Sequence, residues 1–265
     1  MIAIADFHHA KQLLLKHAGI ELNMSKQQMV FNRLVKPMRQ LNYANIAEFL
    51  SDVEERQDLQ QRFVNALTTN VTSFFREAHH FPILCSHVQN KLETLQVWSA
   101  GCSTGQEPYS ILIALLDAFP QLAKSIKPLI LATDIDTTAL VHAEKGIYSE
   151  SDLNSVSPAQ VEKYFDVLPD KDIQFKSNFR RLIQFKAFNL TAGSPAPWKD
   201  LDVIFCRNVM IYFGAETQRT LVSKFATTLK PDGLLISGHA EMLPHSDSVF
   251  SSIGRTVYAL RRGPS

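Results

Sequence analysis

Apolar and polar positions divide the chain into two stretches of different period. Through the first seventy residues, apolar side chains recur three and four apart in segments near 4–18, 25–41, 45–55 and 57–67, as in Leu34, Val35, Met38 and Leu41. That spacing lays one apolar stripe along a helix, and it predicts a small all-helical domain over residues 1–69. Ser25 stands where the second helix needs an N-cap, and Pro37 inside that helix predicts a kink or an early stop. No strand-like alternation precedes residue 94.

Beyond residue 94 short apolar runs alternate with helical patterns. LQVWSAG, PLILATDID, RLIQFKAFNL, LDVIFCRN, GLLISGH and the tail RTVYALRR read as strands. Helices are predicted over 106–118, over TTALVHAEKG with Gly146 ending it, and over AETQRTLVSKFATTLK. Strands alternating with helices imply an α/β domain over 70–265 with a parallel, doubly wound sheet. Residues 147–180 break the alternation and read as an insertion.

Composition narrows the function classes. The 265 residues are 45% hydrophobic and 20% charged, an ordinary globular balance. Lys plus Arg is 27 and Asp plus Glu is 26, for a net charge of +1, so no global field draws the chain to nucleic acid or an anionic membrane. No apolar run approaches the roughly 20 residues of a membrane span, and the opening MIAIADFHHAKQLLLKHAG lacks the pattern of a signal peptide. Cys85, Cys102 and Cys206 lie far apart with no CxxC pair, which fits reduced thiols in the cytoplasm and argues against a zinc site.

Four segments carry candidate chemistry. In VWSAGCSTGQEPYSI a strand runs through a turn with Gly101 and Gly105 into a helix, at the strand end where doubly wound sheets bind ligands. The spacing is not GxGxxG, and Glu107 would repel a phosphate but suit a cationic ligand; the alternative is a turn whose Glu107 caps the helix. Asp134, at the end of the next strand, is placed to accept both ribose hydroxyls; the alternatives are that Asp136 is instead the N-cap of the following helix, or that both aspartates only cap. A nucleoside with a positive charge describes S-adenosylmethionine. In LTTNVTSFFREAHHF a polar stretch precedes Phe74, Phe75 and Arg76; either it caps a helix opening near 77, or Arg76 holds a carboxylate at the domain cleft. In DVIFCRNVMIYF a strand ends at Arg207 and Asn208, with Tyr212 soon after and Cys206 read as a buried thiol.

TTNVTSFFRE, SAGCSTGQEPYS, ATDID, FCRNVMIYF and LKPDGLLISGHAE, in this order and spacing, resemble the CheR-type chemotaxis receptor methyltransferases over nearly the whole chain. The resemblance implies a Rossmann-like methyltransferase domain behind a helical receptor-recognition domain, with residues 147–180 as a small inserted β-subdomain. It implies transfer of a methyl group from S-adenosylmethionine to glutamates on cytoplasmic helices of chemoreceptors, leaving S-adenosylhomocysteine and requiring no metal. By the same resemblance Asn70, Thr72 and Arg76 contact cofactor or reacting carboxylate, and Glu107 meets the methionine portion. Asp134 holds the ribose, Asn189 and Leu190 lie by the adenine, and Gly101, Arg207 and Asn208 complete the pocket. Arg76 and Tyr212 sit closest to methyl transfer. Because an ionised carboxylate needs no base, His239 reads as structural or at the pocket edge rather than as a catalytic base. The chain departs from the family pattern at Ala240, Cys102 and Gln106.

The second helix carries Lys26, Arg33, Lys36 and Arg39 with no acidic residue between 25 and 41. In the family such a basic helix meets the acidic methylation region of the receptor. The implied protein is a cytoplasmic monomer drawn to membrane receptor arrays without entering the bilayer. Two other readings stay open: a nicotinamide-dependent oxidoreductase, disfavoured by the missing GxGxxG and by Glu107, and a non-catalytic adaptor on the same fold.

Overall fold

The computed structural model describes residues 3–193, 196–241 and 249–261. Helices α1 (Ile4–Ala18), α2 (Gln27–Gln40), α3 (Ile46–Glu55) and α4 (Gln57–Leu67) bury Phe7, Leu14, Leu34, Phe49, Leu59 and Phe63 in a core of their own. Two local expectations change. Ser25 is not the cap of α2: it lies in a short turn, Met24–Lys26, and its hydroxyl donates to Asn23 Oδ1. Pro37 does not stop the helix, which runs on to Gln40.

Seven strands form the main sheet in the order β6-β2-β1-β7-β8-β10-β9. Strands β1 (Val97–Ala100), β2 (Ile130–Asp134), β6 (Ile183–Ala187), β7 (Leu201–Cys206) and β8 (Leu229–Ser237) run parallel. They are joined through α6 (Gln106–Ala118), α7 (Thr137–Lys145, closed by Gly146) and α10 (Ala215–Thr228). The helix α10 stops before Lys230, because Pro231 disfavours helical geometry in the residue before it. The sheet is not parallel throughout. The final strand, β10 (Val257–Leu260), is antiparallel to both β8 and a strand absent from the sequence reading, β9 (Phe250–Gly254). Arg255 and Thr256 join β9 to β10 as a hairpin with both residues at positive φ, which forces the reversal. Arg262, the last residue of the RTVYALRR stretch, lies outside the described residues.

Between α7 and β6 a three-stranded antiparallel sheet, β3-β5-β4, is built from Ile147–Tyr148, Ile173–Phe175 and Phe165–Val167, with α8 (Pro158–Tyr164) before β4 and the short α9 (Ser177–Arg180) after β5. Phe175 anchors it against Tyr109 of α6, ring centroids 4.4 Å apart. The chain leaves β1 toward β2 and β6, then returns to β7 on the other side of β1. That reversal opens a crevice at the carboxyl end of β1.

The helical domain is fastened over this crevice by polar contacts at its two ends. Gln61 Nε2 donates to Ile135 O (2.9 Å), Asn65 Nδ2 to Thr137 Oγ1 (2.9 Å) and Thr68 Oγ1 to Asp136 Oδ2 (2.7 Å). On the far side, Asn189 Nδ2 donates to His17 O and Glu21 N to Tyr212 O, each at 2.9 Å.

Candidate active site

A cavity of about 480 Å³ lies between the helical domain and the carboxyl edge of the sheet, within the roughly 300–1,000 Å³ usual for small-molecule sites. Every residue proposed from sequence for cofactor or catalysis lines it: Asn70, Thr72, Arg76, Gly101, Glu107, Asp134, Asn189, Leu190, Arg207, Asn208 and Tyr212. Of the basic residues of the second helix, Lys26 and Arg33 line it too, whereas Lys36 and Arg39 are exposed outside it.

The floor is the turn after β1. Gly101 holds φ 88°, and a Cβ there would sit 2.4 Å from Val209 Cγ2, so the glycine serves the close approach of the β7 turn. Glu107, in the first turn of α6, is no helix cap. Its Oε1 accepts from Ser99 Oγ (2.7 Å) and its Oε2 from Arg207 Nε (2.9 Å), a buried ion pair across β1 and β7. Arg207 Nη1 lies 3.0 Å from His80 Nδ1. A guanidinium only donates, so Nδ1 accepts and the ring proton sits on Nε2, which donates to Arg255 O at 2.9 Å. Burial, with the Arg207 charge adding to it, pulls the His80 pKa down to about 4 and leaves the ring neutral at pH 7.

At the end of β2, Asp134 accepts from Ser103 N through Oδ2 (2.7 Å) and from Asp136 N through Oδ1 (2.9 Å). Burial raises its pKa against the pull of these amides. Asp136 is the N-cap of α7, accepting from Thr138 N and Ala139 N. It also accepts from Thr68 Oγ1 and Asn70 Nδ2, both at 2.7 Å. Burial pushes its carboxyl up, but the hydrogen bonds from Thr138, Thr68 and Asn70 outweigh that and hold it below the ordinary range.

The wall carrying Arg76 differs from the expected helix opening near 77. Residues 74–79 form turns, with Phe75 and Glu77 at φ 50° and 54°, and α5 begins only at His80 (His80–Val88). Phe74 and Phe81 are anchored in the core, and Phe75 N donates to Ser110 Oγ (2.9 Å). Arg76 remains at the cavity, with Nη1 donating to Val71 O (3.0 Å) and no ion pair among the described residues. On the same cavity, Asn208 stands at φ 60°, and the half-buried Tyr212 ends the short turn Met210–Tyr212. Asn189 spends its amide on His17 O and its oxygen on Thr191 N, so it also ties the domains together.

Arg33 Nη1 donates to Leu67 O (2.8 Å), Thr68 O (2.8 Å) and Thr69 Oγ1 (3.1 Å), fixing the end of α4 and the polar stretch after it. His239 is 65% exposed and stands beside Glu77 rather than in the cavity. Burial pushes the Cys102 and Cys206 thiols well up, away from nucleophilic use. The sequence reading passed over His80, Ser103 and Glu241, which hold cavity residues in place. His80 lies in LTTNVTSFFREAHHF, Ser103 in VWSAGCSTGQEPYSI and Glu241 in LKPDGLLISGHAE, but nothing local to those segments assigns their partners. Among the described residues no group of His, Cys, Asp or Glu forms a metal cluster, and no helix is long and apolar enough to cross a membrane.

Comparison with known proteins fits this geometry. The family description "CheR methyltransferase, SAM binding domain" matches residues 70–259, and "CheR methyltransferase, all-alpha domain" matches residues 5–68. The chemotaxis protein methyltransferase of Salmonella typhimurium is 42% identical over 271 residues, covering 98% of this chain and 92% of the relative. That of Escherichia coli is 40% identical over 98% and 93%, and chemotaxis protein methyltransferase 2 of Pseudomonas aeruginosa is 39% identical over 96% and 92%. A matched S-adenosylmethionine-binding domain displaces the nicotinamide reading. The chain belongs to the CheR family of chemotaxis protein methyltransferases.

Proposed function

We propose that this protein forms methyl esters on glutamate side chains of chemoreceptor cytoplasmic helices, working as a cytoplasmic monomer drawn to membrane receptor arrays. The observation that supports the reading is the convergence of Glu107, Arg207, Asp134 and Arg76, the last without an ion pair among the described residues, on one cavity from four separate parts of the chain. These residues fit S-adenosylmethionine. Asp134 meets the ribose, Asn189 and Leu190 flank the adenine, and the Glu107–Arg207 pair offers a carboxylate to an ammonium and a guanidinium to a carboxylate. When bound, the cofactor supplies an activated methyl group on a sulfonium.

The chain's own residues have no proton to move. A receptor glutamate has a reference pKa near 4.3 and arrives ionised at neutral pH. Arg76 orients that carboxylate with its planar fork, and Tyr212 hydrogen-bonds it or shapes the path of the methyl group. Tight ground-state capture by Arg76 would gain nothing in rate, so alignment is its role.

The test is transfer of labelled methyl from S-adenosylmethionine to receptor-bearing membranes, scored as base-labile ester. Arg76→Ala is expected to lower turnover by on the order of 100-fold. Cofactor binding without label on any of several receptors would instead favour a non-catalytic adaptor, and no cofactor binding would undo the pocket assignment.

A further inference from the structure

Glu241, four residues beyond the end of β8, does not line the cavity, yet it holds the turn that does. It is only 4% exposed. Its Oε2 accepts from Gly238 N (2.6 Å) and Asn208 N (2.8 Å), and its Oε1 from Val209 N (2.7 Å) and Met210 N (2.8 Å). An ionised carboxylate has about four lone-pair sites and no donor, so these four amides fill it. Three consecutive amides converge on one anion because Asn208 is left-handed, at φ 60°. The fit is close: a Cβ on Gly238 would lie 2.7 Å from Asn208 Nδ2 and 2.9 Å from Glu241 Oε2. The segment Gly238–Glu241 also meets the residue after Arg76: His239 N donates to Glu77 Oε1 (3.3 Å) and His239 Nδ1 lies 3.4 Å from Glu77 Oε2. Glu77 follows Arg76 directly, and Met210 begins the turn that ends at Tyr212.

We propose that Gly238–Glu241 is a clamp that sets Arg76 and Tyr212 in register, with Glu241 the positioning residue for methyl transfer. The kinetic part rests on the carboxyl-methyltransferase reading. Glu241 acts through the backbone of residues 208–210, because charge-assisted bonds to three successive amides fix the direction in which the chain leaves β7.

Glu241→Gln keeps the shape but turns an amide nitrogen toward two of the backbone donors. The expected result is a fall in kcat of roughly tenfold or more, with the Kd for S-adenosylhomocysteine changing far less and amide hydrogen exchange over residues 208–212 accelerating. Glu241→Asp keeps the charge one methylene short, and is expected to recover part of both losses; it carries the comparison with wild type if the Gln variant does not fold. Wild-type kcat and wild-type exchange in Glu241→Gln would overturn the clamp. So would a loss of turnover that merely follows cofactor occupancy, with Asp no better than Gln. A wild-type protein that binds S-adenosylhomocysteine but methylates no receptor would sink the functional reading, while the exchange rates would still decide the clamp.

Discussion

At the floor of the cavity Glu107, Arg207 and Asp134 are buried and each has a polar partner, whereas at the mouth the side chains stand half or wholly in solvent with few partners. Val71 is 77% and Ile211 48% exposed, Lys26 is exposed, and Arg76 donates to Val71 O with no ion pair among the described residues. The floor pairs opposite charges before any ligand arrives, so it is organised for one ligand with a fixed pattern of charge and hydroxyls. The mouth is free to adapt, as it must if it meets a macromolecular substrate. Binding of the small ligand and capture of the large one therefore draw on different physics within one cavity.

The largest break in that comparison comes from cutting the floor. Glu107→Ala leaves Arg207 buried without a carboxylate partner among the described residues, and removing one partner of a buried pair costs about 3–5 kcal/mol. For a chain of this size that corresponds to a fall in Tm of roughly 6–20 °C, read by calorimetry, together with loss of S-adenosylhomocysteine binding. Arg76→Ala at the mouth is expected to cost under about 1 kcal/mol of stability. Equal destabilisation by the two changes would erase the distinction between floor and mouth.

The same division explains what the sequence discloses. Part of the floor is legible because some of its residues share a local motif: Gly101 and Glu107 lie in one turn and helix start, and Asp134 and Asp136 are two residues apart, although the Glu107–Arg207 pairing across 100 residues is not. The helices of the first domain are legible from period alone, within a residue or two of their observed ends. What stays hidden depends on distant partners. His80 meets Arg207 from 127 residues away, and Glu241 meets the Asn208–Met210 turn from more than thirty. The acid-free basic run singles out Arg33 but not the backbone carbonyls that absorb its guanidinium. Strand β9, FSSIG, has too little apolar alternation to register, so the antiparallel edge went unread.

A smaller effect sharpens the comparison through pH. His80 is neutral in the folded protein because burial lowers its pKa to about 4 from an ordinary 6.5. The unfolded chain therefore binds the extra proton first, and stability is full above about pH 6.5 and is lost as pH falls toward 4. His17 and His87, also lowered by burial, act in the same sense, while the raised pKa of Asp134 acts in the opposite one. Comparing wild type with His80→Asn, which keeps an acceptor for Arg207, isolates this residue: the variant should show a shallower decline of Tm between pH 6.5 and 4. Parallel curves would mean that His80 does not set acid sensitivity at the floor.

The smallest effect expected is at the mouth's outer edge. Lys36 and Arg39 are exposed on α2 and make no ion pair among the described residues, so their charge faces solvent. If an acidic receptor helix docks there, these charges act chiefly by steering, over the roughly 10 Å that ions leave unscreened at 0.1 M salt. Lys36→Glu with Arg39→Glu should raise the KM for receptor membranes severalfold at low salt, with the difference shrinking as salt is added. Tm and S-adenosylhomocysteine affinity should not move, because neither residue lines the cavity. Arg33 does not belong in this test. Its guanidinium holds the carbonyls of Leu67 and Thr68, so removing it would loosen the stretch leading to Asn70 and Thr72 and mix cofactor binding with receptor capture. A double charge reversal that left KM and its salt dependence untouched would shift receptor recognition from the exposed basic residues of α2 to the cavity mouth itself, where Lys26 and Arg76 line the cavity.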